Sequence, residues 1–221
     1  MQGMLSPSPA RARPPAPTPT PLDHLAQTGL LRCAVPARMG GAGGDPADLA
    51  LAAGLLLQRD TAAAAVFWAQ RLAIEALVQS PNVALRELWL PDLLSGERAG
   101  TLSPHTTPLI GTDTGRGWLL SGELPDVPNR PWEGFSLVAP LRLGTAPAGW
   151  ALLRSEEDGL GALPGADQPH AHPAPHLATL ALRRVYFRED EWLGEADLTQ
   201  RMAPIAQALA PFQPRPQAAQ A

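Results

Sequence analysis

Lysine is absent from this 221-residue chain: all 17 of its basic side chains are arginines. That excludes Schiff-base chemistry on a lysine amine and any phosphate loop built around a lysine. Cysteine is nearly absent. Cys33 stands alone, which excludes an intrachain disulfide framework and a cysteine-based zinc site, and it reads as a structural thiol rather than a nucleophile. Long apolar runs are missing as well. The longest, Leu49 to Leu57, falls far short of the roughly 20 residues that a bilayer demands. Met1–Pro21 has no apolar core of the kind a secretory signal needs. There is no concentration of positive charge: the net charge is -4 and the pI about 5.7, with the arginines scattered along the chain. No basic face is expected to track a phosphate backbone, so nucleic acid is not an expected partner and neither is a membrane. A soluble cytoplasmic protein is the expectation.

Proline, by contrast, is plentiful, at 26 residues, too many for one uniformly packed unit. The prolines cluster, and the clusters mark tails and linkers. Residues 1–21 read as a disordered Pro-rich tail, with Arg11 and Arg13 solvated. The first half is then helical by its pattern. Leu22 to Arg32 suggests one short helix, broken by Pro36 and by the glycines 40, 41, 43 and 44. Asp45 caps a second helix with Pro46 in its first turn; Asp60-Thr61 opens a third and Asn82 a fourth, which closes at Ser95-Gly96.

From Gly100 the period changes. Trp118–Ser121, Gly134–Pro140, Trp150–Arg154 and Val185–Arg188 are short apolar runs bounded by Gly and Pro, and they read as strands. Asp158–Pro175 reads as a long loop, and Thr199 to Phe212 as one last helix. The fold class expected is α+β: an N-terminal all-helical domain over residues 22–99, and a small antiparallel β-barrel-like domain over 100–195. A truncated C-terminal helix over 196–212 and a disordered tail over 213–221 complete the chain.

Leu102 to Asn129, LSPHTTPLIGTDTGRGWLLSGELPDVPN, joins the two halves. Thr106-Thr107-Pro108 through Gly111-Thr112-Asp113 reads locally as a polar loop, whose hydroxyls and amides could cup an anion or a heterocycle or could simply connect two elements. Other constellations carry less. His170, His172 and His176 are interleaved with prolines on an extended segment and share no face, so they read as a solvent loop rather than a metal site. Gly40–Gly44 lacks a preceding strand and a lysine, and reads as a turn between helices. The six tryptophans read as core or interface residues.

Five segments in order carry a resemblance. Gly29-Leu30-Leu31-Arg32-Cys33-Ala34-Val35-Pro36 precedes Gly40-Gly41-Ala42-Gly43, and Trp89-Leu90-Pro91-Asp92-Leu93-Leu94-Ser95-Gly96-Glu97 follows. Then come Thr106-Thr107-Pro108-Leu109-Ile110-Gly111-Thr112-Asp113, Gly117-Trp118-Leu119-Leu120-Ser121-Gly122 with Asn129, and Val185-Tyr186-Phe187 with Trp192-Leu193-Gly194. In this order they resemble the acyl-CoA dehydrogenase superfamily, over its N-terminal helical and middle β domains. The resemblance implies FAD as cofactor and oxidation at a CH–CH bond of an acyl thioester, with Thr106, Gly111 and Thr112 at the positions that contact the flavin. It also implies a C-terminal helical bundle, of which Arg201 to Phe212 resembles only the first turns, so no residue is carried over as the catalytic base. Where the family has ring-flanking residues, this chain has Asp126 and Pro128; where it has a glutamate, Thr107. The implied partners are an acyl-CoA or another small-molecule substrate, and a homo-oligomeric copy or a complementing subunit. The alternative is a non-catalytic binding subunit or remnant of the family, with a flavin-dependent monooxygenase relative as a third option.

Overall fold

The computed structural model describes residues 19–105, 107–129, 134–163 and 177–214. Its helices start where the caps in the sequence place them. In α1 (Pro21–Gln27), Thr20 Oγ1 accepts from the Asp23 amide while the Asp23 carboxylate takes the Thr20 amide at 2.7 Å, which satisfies two amides that a helix start leaves unpaired. Gly29, at φ 76°, then turns the chain, and Leu30–Arg32 is a separate 3-10 turn. The single helix expected from Leu22 to Arg32 is therefore two pieces, since a left-handed residue cannot lie inside a helix. In α2 (Pro46–Arg59), Asp45 and Asp48 repeat the reciprocal cap. Asp60 caps α3 (Thr61–Gln79) and Asn82 caps α4 (Val83–Ser95), which ends on Gly96 at φ 80°.

Helix α3 organises the whole. It packs against α1, α2, α4, the later helix α5 and the first strand, and from Phe67 through Val78 every residue is buried. By length and hydropathy α3 could cross a bilayer, yet it is mostly buried within the fold and carries Gln70, Arg71 and Glu75 in its buried face. It is a core helix.

Eight strands follow: β1 (Ala99–Thr101), β2 (Leu109–Asp113), β3 (Trp118–Val127), β4 (Phe135–Leu143), β5 (Gly149–Arg154), β6 (Leu160–Ala162), β7 (Ala178–Phe187) and β8 (Trp192–Gly194). They form one sheet in the order β6-β7-β3-β2-β4-β5-β8, with β1 on β4. The α+β order expected from the sequence holds. The sheet, however, is open rather than closed like a barrel, and it is mixed: β1 and β2 both run parallel to β4, opposite Phe135–Leu137 and Leu141–Leu143 in turn. β7 is also far longer than its expected Val185–Arg188 core, and β6 lies inside the stretch read as loop. After β8, α5 (Asp197–Leu209) lays Leu198, Met202, Ile205 and Leu209 inward, packing on α2 and α3. One continuous apolar core runs through both halves.

Arg98 ties the helices to the sheet. Its guanidinium donates to Ser136 Oγ at 2.6 Å, to the Phe135 carbonyl at 2.7 Å and to both oxygens of Glu156, and it stacks 4.6 Å from the Trp89 ring. Those hydrogen bonds from Arg98 hold the Glu156 carboxyl at about 2, against an ordinary 4.5, although burial opposes them. The unfolded chain therefore takes up the proton first as pH falls. The contribution is fully present above 4.5 and is lost as pH drops through about 2. Because Glu156 is half-exposed, salt screens the effect. Urea midpoints measured from pH 5 downward are expected to fall less steeply in Glu156→Gln than in the parent, and equal slopes would contradict this.

Candidate functional site

The candidate site is the joint where the connection from β1 to β2 meets the end of β3. Ser103 Oγ donates to the Pro125 carbonyl at 2.7 Å and accepts the His105 amide at 3.2 Å. His105 Nε2 lies 2.9 Å from Asp126 Oδ2. Thr101 donates its hydroxyl to the Pro128 carbonyl. Asp126 and Asn129 adopt φ of 55° and 52°, left-handed positions that cost a non-glycine residue energy and that Asp and Asn tolerate best.

A buried amide holds this joint to the helices. Gln70 donates through Nε2 to the carbonyls of Leu93 at 2.8 Å and Arg98 at 3.1 Å. Its Oε1 accepts the Gly100 amide at 2.6 Å and Asn129 Nδ2 at 2.8 Å, and the same Nδ2 also reaches the Gly100 carbonyl. Every polar atom of the Gln70 side chain is used, in a place with no solvent exposure. From the C-terminal side, Gln213 Nε2 donates to the Pro104 carbonyl at 3.3 Å.

Two of the three residues expected to contact a cofactor lie side by side. Thr106 lies outside the described residues, as do the three loop histidines. Gly111 and Thr112 are not in a loop: they belong to β2, which pairs with β3 on one side and, at Gly111, with β4 on the other. Gly111 is a glycine for packing, since a Cβ there would sit 2.5 Å from Leu143 Cδ2. Gly111→Ala is expected to cost about 1–3 kcal/mol by overpacking, read from the urea midpoint; an unchanged midpoint would show that Leu143 moves aside freely. Thr112 is exposed on β2, three residues beyond Leu109 and so about 10 Å along the strand. The structure does not bring it together with His105 and Asp126. That pair and Gln70 were not singled out by the sequence, because residues 21 apart meet only through the pairing of β2 with β3. Among the described residues there is no cluster of His, Cys, Asp or Glu able to hold a metal ion.

Residues 6–97 match the family model for the acyl-CoA dehydrogenase N-terminal domain. The chain resembles glutaryl-CoA dehydrogenase from Mycobacterium smegmatis at 20% identity and a TM-score of 0.73, over 86% of this chain and 52% of that one. Apo-form PigA aligns at 15% identity and a TM-score of 0.71, over 86% of this chain and 53% of that one. An acyl-CoA dehydrogenase complexed with FAD from Bacillus anthracis aligns at 19% and 0.65, over 82% of this chain and 33% of that one. No curated protein matches. By its N-terminal match and its fold, the chain is similar to acyl-CoA dehydrogenases. It spans between a third and just over half of the length of these solved structures.

The backbone of Gly111 and Thr112 is engaged in strand pairing, and the polar side chains of Thr101, Ser103 and His105 are turned on the end of β3. Asp126 adds a carboxylate where the resemblance implied a ring-flanking group. The described residues do not form a flavin cradle by themselves.

Proposed function

We propose that the chain is an acyl-CoA dehydrogenase-like flavoprotein: an FAD-dependent oxidoreductase acting at a CH–CH bond of an acyl thioester, completed by a further helical segment. The observation that supports this reading is the fold match across both the helical half and the sheet, in the order the family has them. The partner expected is a second copy or a complementary subunit, and the setting is the cytoplasm. Thr112 offers an exposed hydroxyl as a cofactor contact together with Thr106, while Gly111 keeps β2 packed against Leu143. FAD added to the purified chain is expected to lose fluorescence on binding, and Thr112→Val to weaken that binding. No change in flavin fluorescence, with or without a helical partner, would sink the reading.

A second reading, a non-catalytic binding subunit of the same superfamily, is favoured by one observation: the His105–Asp126 pair and the strand pairing of Gly111 use up the groups a flavin would need. It requires that the isolated chain oxidise no acyl-CoA. Turnover by the chain alone rules it out.

A further inference from the structure

The outer face of the sheet carries an arginine row that neither reading uses. Register places Arg142 of β4 beside Ile110 of β2, Ile110 beside Ser121 of β3, and Ser121 beside Arg183 of β7. All four are exposed. The row therefore crosses four neighbouring strands, with its terminal arginines about 14 Å apart at the backbone. The ladder between β3 and β7 shifts register at Leu120/Ser121, where Arg184 falls between two paired residues. Arg184 has φ 60°, and this bulge leaves Arg183 and Arg184, consecutive in sequence, both exposed. A left-handed arginine in mid-strand is a local cost, and here its outcome is a second guanidinium at one end of the row.

Among the described residues, none of these three guanidinium groups has a hydrogen bond or an ion pair. Two acidic side chains border the row: Glu123, exposed and two residues from Ser121 on β3, and Asp158, exposed and next to Gly159, whose carbonyl accepts the Arg183 amide; three arginines against two carboxylates leave the patch net positive. One row along, Thr112, Leu119 and Tyr186 are paired across β2, β3 and β7. Tyr186 is 44% exposed and is anchored by its hydroxyl, which donates to the Arg116 carbonyl at 2.6 Å. A rigid sheet thus presents three unpaired guanidinium groups, a hydroxyl between them and an anchored ring beside them. Guanidinium forks match phosphate oxygens in pairs, and an anchored ring adds a stacking surface.

We propose that this face binds a small ligand bearing two or more phosphate groups, with Arg183 and Arg184 at one end and Arg142 at the other. Calorimetric titration of the full chain at low salt, with sodium tripolyphosphate in one arm and ADP in the other, tests it. Both are expected to bind at one site, and Arg183→Gln with Arg184→Gln, or Arg142→Gln alone, to weaken them at least about tenfold. Ser121→Glu sets a carboxylate in mid-row and is expected to abolish binding. Tighter binding of ADP than of tripolyphosphate, lost in Tyr186→Ala, identifies a nucleotide as the source of the phosphates; equal affinities identify the phosphates alone. All the substituted side chains are exposed, so folding is preserved, and circular dichroism checks it. Failure of both probes to bind, or binding unchanged in the triple arginine variant, overturns the proposal. Arg38→Gln, on the helical half, is expected to leave the affinity unaltered, and a comparable loss there would equally overturn it.

Discussion

Arg71→Met is expected to stabilise the protein by about 1–4 kcal/mol, the range seen when a buried charge gives way to a well-packed apolar side chain. Arg71 has no solvent exposure, and Nε and both terminal nitrogens of its guanidinium lack a hydrogen-bond partner among the described residues. Burial pulls its pKa from the ordinary guanidinium range down to about 10, against the opposing pull of Glu75 and then Cys33. Glu75, one turn on, is a poor counter-ion: burial pushes its own carboxyl up, and its Oε1 is taken by Gln79 at 2.8 Å. Methionine keeps the unbranched stem that fills the space and drops the charge. The measurement is the urea midpoint at an unchanged slope. A loss of stability instead would show that the guanidinium has a partner beyond the described residues. The sign with pH is also fixed. The folded pKa is the lower one, so from about 10 up to the ordinary guanidinium range the unfolded chain binds more protons, and raising pH through that window relieves the cost. Arg71→Met removes this part of the alkaline profile.

The opposite result is expected next door. Gln70→Ala is expected to cost about 3–5 kcal/mol, because four hydrogen bonds go and their buried partners are left unpaired. The partners are the carbonyls of Leu93 and Arg98, the Gly100 amide and the Asn129 side chain. Asn129 would also lose part of what holds it at φ 52°. Urea unfolding followed by tryptophan fluorescence measures the loss; a cost below about 1 kcal/mol would mean that water replaces the amide. The two neighbours on α3 thus make a matched pair: one buried polar group fully satisfied, the other not satisfied at all.

Side chains that act on their own local backbone were legible in the sequence. Asp45, Asp60 and Asn82 start helices because their oxygens reach amides two and three residues on. What stayed hidden depends on distant chain. Ala99-Gly100-Thr101 has no strand signature. It is a strand because Gly100 lets β1 approach Ala73, where a Cβ would stand 2.5 Å from that of Ala73. Leu109–Asp113 reads as a loop from its Gly, Thr and Asp, and becomes β2 because β3 and β4 pair with it on both sides. The flavin contacts that the resemblance assigns to Gly111 and Thr112 would therefore be made from a strand rather than a loop.

The sharing of one edge of β4 between β1 and β2 sets an order in time. Both partners run parallel to β4 and come from well before it in the chain, so each pairing closes a long stretch of polypeptide before any ladder bond repays it. The helices need no such closure, since α2, α3 and α4 meet near neighbours in sequence. A folding chain therefore gathers its helices first, and Gln70 then holds β1 in place as the template on which β4 arrives. On this view Gln70→Ala slows refolding in stopped-flow fluorescence. If only unfolding were accelerated, the docking of β4 would have to follow the barrier rather than form it.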